Sequence, residues 1–91
     1  MSLQTGNLFG TVIDNQGEPL PGVTVMLSGH GAPQVQVTNA EGQFRFLNLA
    51  PGIYELTAEL EGFSTVKYPT IDIQVGRTIE VEITMSPAIE E

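Results

Sequence analysis

The chain contains no cysteine, no tryptophan, a single histidine (His30) and only three basic residues, Arg45, Lys67 and Arg77. Without cysteine there is no disulfide framework and no thiolate chemistry, and the redox compartment stays open. One histidine without cysteine excludes a His/Cys metal cluster. It also leaves a nucleophile–base pair short of its usual parts, and no serine sits in a G-x-S-x-G elbow. Eleven acids against three bases give a net charge of −8. That balance excludes binding to a nucleic-acid backbone, which needs clustered Lys and Arg to release counterions. It equally disfavours docking on anionic lipid. No apolar run exceeds two or three residues, so no direct membrane insertion is expected. Met1–Thr5 has neither a basic region nor an apolar stretch and does not read as a signal peptide. It reads as a short leader on an excised fragment, with any export signal lying upstream.

What is present fits one small domain. At 91 residues, each half would fall below the roughly 40–50 residues at which cores need disulfides or metals. A hydrophobic fraction of 41% with 15% charge describes a globular chain. Gly 10 and Pro 6 favour many short elements over a few long helices. The apolar period is two, not 3.6. Ile79, Val81, Ile83 and Met85 alternate with Glu80, Glu82 and Thr84, as they do in a strand with one buried and one wetted face. Tyr54, Leu56, Ala58 and Leu60 do the same, as do Val23, Val25 and Leu27, and Ile71, Ile73 and Val75. Turn signals separate the runs: Asp14-Asn15-Gln16-Gly17, Ser28-Gly29-His30-Gly31, Asn39-Ala40-Glu41-Gly42, Pro51-Gly52, Glu61-Gly62 and Val75-Gly76-Arg77. Seven or eight short strands at this spacing predict an all-β sandwich or barrel. The expected core is Leu8, Val12, Val23, Val25, Leu27, Val37, Phe44, Phe46, Leu49, Tyr54, Leu56, Ala58, Phe63, Ile71, Ile73, Val75, Ile79, Val81 and Ile83.

Three stretches line up with a known pattern: Gly10-Thr11-Val12-Ile13-Asp14-Asn15-Gln16-Gly17-Glu18-Pro19-Leu20-Pro21-Gly22-Val23-Thr24-Val25, then Thr38-Asn39-Ala40-Glu41-Gly42-Gln43-Phe44-Arg45-Phe46, then Leu47-Asn48-Leu49-Ala50-Pro51-Gly52-Ile53-Tyr54-Glu55-Leu56 followed by Glu61-Gly62-Phe63. In order and spacing they resemble the carboxypeptidase regulatory-like domain. The resemblance covers about residues 8–85 and implies a seven-stranded Greek-key β-sandwich of transthyretin-like topology. Asn39 departs from the family, which often has Asp there, but both side chains form Asx turns. The tail from Val75 is similar to the version found at the N-terminus of Oar-like TonB-dependent outer-membrane receptors, where the domain precedes the plug and barrel. The expected organisation is a leader over 1–6, the sandwich over 7–86, and a tail over 87–91 leading to a missing domain, with both ends frayed.

The residues of the pattern have physical roles. Asp14 caps the turn that Gly17 closes. Pro19 and Pro21 stiffen an extended link. Gly42 and Gly52 permit turns that a Cβ would strain. Pro51 and Gly52 suit the two central positions of a type II turn. A buried Tyr54 needs a partner for its hydroxyl. His30 is expected in a solvated turn. Asp14 to Glu18 superficially suggests a calcium loop but lacks the acids and the closing bidentate Glu of one, so no metal and no cofactor are expected.

Two groups of residues are left as surface candidates. Glu55, Glu59, Glu80 and Glu82 fall on outward strand faces and form one acidic face if their strands are neighbours; solubility is the ordinary explanation, and docking of a basic partner the functional one. Phe9, Ile13 and Met26 are apolar residues facing outward, suited to contact with a neighbouring domain if they cluster. The reading that follows is a non-catalytic accessory module of a larger exported bacterial protein. It would act as spacer or protein-interaction domain at the periplasmic side of an outer-membrane receptor. Its partners would be neighbouring domains or another protein, with a monomer favoured. The alternative is a carbohydrate- or peptide-binding module on a secreted, extracellular enzyme, with Phe9 and Tyr68 as the available aromatic platforms. A transthyretin-fold hydrolase of the 5-hydroxyisourate type would require catalytic His and Arg residues and a C-terminal Tyr-Arg-Gly-Ser motif, where this chain has Ser86-Pro87-Ala88-Ile89-Glu90-Glu91.

Overall fold

A computed structural model describes residues 4–29 and 31–88. It contains seven strands: β1 (Gly6–Asp14), β2 (Thr24–Ser28), β3 (Gln34–Val37), β4 (Gln43–Leu49), β5 (Gly52–Glu59), β6 (Val66–Ile73) and β7 (Thr78–Met85). They form two sheets, ordered β4-β1-β7 and β3-β2-β5-β6. All pairs are antiparallel except β1 with β7, which is parallel. This is the expected all-β sandwich with two sheets.

The period-two pattern packs the space between the sheets. Leu8, Val12, Val23, Val25, Leu27, Phe44, Phe46, Leu49, Tyr54, Leu56, Ala58, Ile71, Ile73, Ile83 and Met85 are buried. Gly10 belongs to the same inward row of β1. A Cβ there would run into the ring of Phe44, so the missing side chain is the space that ring occupies. Phe44 and Phe46 meet edge to face at 5.9 Å. Tyr54 donates its hydroxyl to the Ala50 carbonyl at 2.7 Å, four residues upstream. Its burial pushes the phenol above the ordinary tyrosine range.

Several expectations are corrected. Val37 and Val75 are not core: they are 58% and 49% exposed. Phe63, Ile79 and Val81 are only half-buried, and Met85 is fully buried. Val75 is lost because β6 ends at Ile73 and the chain turns at once, with Arg77 N–H donating to the Gln74 carbonyl and Gly76 at φ 74°. Pro51-Gly52 does not form the centre of a type II turn. Gly52 has φ 150°, far from the roughly +80° that such a turn needs, and it already pairs with Ile73 as the first residue of β5. The left-handed residue in this region is Asn48, at φ 58°. It sits where β4 carries one extra residue opposite β1, and its N–H donates to Asn7 Oδ1 at 3.1 Å.

The ends are tied further out than expected. Gly6 is buried in β1, and Gly76 N–H donates to the Thr5 carbonyl. Beyond β7, Pro87 bridges to Phe63 and Ala88 N–H donates to the Gly62 carbonyl. His30 lies outside the described residues, as do 1–3 and 89–91.

Candidate interaction surfaces

Two turns of the family pattern have one geometry. Asp14 Oδ1 accepts from Gln16 N–H and Glu18 N–H at 2.8 and 2.9 Å. Asn39 Oδ1 accepts from Glu41 N–H and Gln43 N–H, both at 2.9 Å. In each turn the backbone closes twice more, Gly17 N–H to Asp14 C=O with Asp14 N–H to Glu18 C=O, and Gly42 N–H to Asn39 C=O with Asn39 N–H to Gln43 C=O. The glycines sit at φ 83° and 73°. A neutral Asn does the work of the Asp, because the acceptor oxygen alone is used. Among the described residues, no three His, Cys, Asp or Glu side chains are grouped to hold a metal ion.

The outward candidates divide between opposite faces. Glu80 and Glu82 lie on β7, Glu55 and Glu59 on β5, and these strands belong to different sheets. The single acidic face therefore does not form; there are two acidic pairs on opposite sides of the sandwich. The apolar set is split too. Phe9 and Ile13 are half-buried on the outer side of β1, and Met26, 38% exposed, is on β2 of the other sheet.

Around Phe9 the outer face of the three-stranded sheet is hollowed into an open groove of about 760 Å³. In register, Phe9 stands between Arg45 on β4 and Glu80 on β7, and Thr11 between Gln43 and Glu82. Asn39, from the second turn, closes one end of this lining. Tyr68, the other aromatic candidate, is half-buried on β6 at the seam between the sheets, and its hydroxyl donates to the Glu82 carbonyl at a long 3.4 Å.

A second surface was not read from the sequence. Among the described residues β3 is an edge strand, paired only with β2, and all four of its residues are exposed. Val35 lies opposite Met26, and Val37 opposite Thr24. Because Val25 and Leu27 point inward, Val35 and Val37 point outward, and Gln34 and Gln36 take the inward row. Thr38 sets this register. It is 5% exposed, its hydroxyl accepts from Val23 N–H at 2.9 Å and donates to the Leu20 carbonyl at 2.7 Å, and its backbone bonds to Gly22 and Val23. The signal available in the sequence was the Thr itself, a polar residue at the position where the period-two row turns inward.

The family model of the carboxypeptidase regulatory-like domain matches residues 7–86. The TonB-dependent transporter Oar of Myxococcus xanthus is 34% identical over 87 residues, taking in 92% of this chain and 8% of the transporter. The chain thus spans less than a tenth of that relative. Among solved structures, the TIE protein of Bacillus anthracis is similar with a TM-score of 0.78 and 23% identity, over 93% of this chain and 17% of that one. The 5-hydroxyisourate hydrolase of Klebsiella pneumoniae is similar with a TM-score of 0.69 and 30% identity, over 91% of this chain and 92% of that one.

Proposed function

We infer that this chain, which belongs to the carboxypeptidase regulatory-like domain family of non-catalytic accessory modules, is carried in line within a larger exported bacterial protein, a TonB-dependent outer-membrane receptor. The observation that supports this reading most is the match to Oar, which takes in nearly the whole chain but only a small part of the transporter. In this reading the module faces the periplasm ahead of the receptor's plug and barrel, as spacer and docking domain. The outer face with Phe9, Arg45, Glu80 and Glu82 is the surface offered to neighbouring domains. It sets one aromatic ring among polar and charged groups, the make-up of a small apolar centre with a polar rim. The net charge of −8 favours a basic partner and speeds encounter with it.

The test is fractionation of the source cell with an antibody raised against the chain. The expected result is a signal in the outer-membrane fraction, on a polypeptide several times longer than 91 residues. A signal confined to the cytoplasm, on a polypeptide of the chain's own size, would overturn the reading.

A further inference from the structure

We propose that β1 and β7 form a shear clamp, so that the module holds its fold when tension is applied through the chain entering β1 and leaving β7. The two strands are parallel and in register over eight residue pairs, from Asn7 opposite Thr78 to Asp14 opposite Met85. Since both run the same way, the start of β1 and the end of β7 lie at opposite ends of the ladder, roughly 25 Å apart for eight residues in a strand. Tension between them is directed along the strands. Parallel ladders carry evenly spaced bonds, and a pull along the strands loads those bonds together instead of one after another.

Other features strengthen the same device. Among the described residues, β7 is an edge strand whose only strand partner is β1, so this ladder is what must yield for β7 to leave. Ile83 and Met85 are fully buried. A slip of one residue would turn Glu80, Glu82 and Thr84 toward the core and Ile83 and Met85 toward water, and an unpaired carboxylate in an apolar interior is costly. The ladder is bracketed at both ends. Asn7 N–H donates to the Arg77 carbonyl at 3.0 Å and Gly76 N–H to the Thr5 carbonyl at 2.9 Å; at the far end Ser64 N–H donates to the Ser86 carbonyl and Ala88 N–H to the Gly62 carbonyl, each at 2.9 Å. Resistance to a pull is governed by the unfolding rate under load and not by equilibrium stability alone. A clamp of this kind suits a module placed in line, and to that extent its use rests on the reading above; the clamp itself is a property of the fold.

The experiment is single-molecule force spectroscopy on one variant pulled in two directions. The chain has no cysteine, so Val75→Cys, at an exposed position next to the start of β7, provides a unique attachment. Pulling from the N-terminus to the C-terminus shears the ladder. Pulling from the N-terminus to residue 75, which lies beside the start of β1, peels it open. The rupture force in the first direction is expected to exceed that in the second by about twofold or more at equal loading rate, because many bonds share the load. Equal forces, or a weaker end-to-end direction, would overturn the clamp. Gln74→Cys gives the same geometry should the first variant fold poorly, and an unchanged urea midpoint shows that either variant is native. A weak end-to-end direction removes the clamp and leaves the placement in a receptor untouched, since that is read by fractionation.

Discussion

Thr38 illustrates how one hydroxyl can outweigh hydrophobic pattern. By alternation alone, Val37 should face the core, yet Thr38 is the buried residue, with both its donor and its acceptor capacity used. Removing it would leave Val23 N–H and the Leu20 carbonyl without that partner, and such a loss costs about 1–3 kcal/mol. Thr38→Val is therefore expected to lower stability by about that amount and Thr38→Ser by clearly less, as read by urea denaturation. The twin turns allow a second residue-scale prediction. Gly17 and Gly42 share a left-handed conformation, but a Cβ at Gly17 would meet nothing within 4 Å, whereas at Gly42 it would lie 2.5 Å from the Val12 carbonyl oxygen. Gly17→Ala should cost about 1–2 kcal/mol, the conformational penalty alone. Gly42→Ala should cost more, and the excess measures the contact with β1. Equal urea midpoints for the two variants would contradict this account of Gly42.

At the scale of the element, the strands most legible in the sequence were those whose two faces differ sharply. β5 and β7 alternate apolar and acidic residues over most of their length, and their orientation followed directly. β3 and the start of β6 were misread for different reasons. β3 is too short for its own alternation to decide, and its register is imposed from outside by Thr38. β6 begins earlier than Ile71 because Pro69, which breaks the visible pattern, is tolerated on an edge strand. The outward placement of the β3 valines leads to a contrast. Val37→Thr should change stability by no more than about 0.5 kcal/mol, while Leu56→Ala, at a fully buried position on β5, should cost about 2–5 kcal/mol. A large loss from Val37→Thr in urea denaturation would mean that β3 is turned the other way.

At the scale of the whole molecule, an all-β sandwich or barrel was legible because turn residues and alternating strands agree, and the family resemblance chose the sandwich. The surface was not. Sequence places Glu55, Glu59, Glu80 and Glu82 outward but cannot say that β5 and β7 belong to different sheets; that depends on long-range pairing. The same pairing places β1 beside β7 in parallel, from which the direction of the load path follows. We propose that the sandwich is an accessory module, added to a receptor whose plug and barrel fold without it. The measurement that tests this most directly is removal of residues 7–86 in frame from the parent protein, followed by assay of the remainder in the outer-membrane fraction. The account predicts that the remainder still accumulates there as a folded, heat-modifiable protein. Loss of the remainder from that fraction, with the shortened transcript intact, would contradict it and make the sandwich part of the receptor's own folding unit.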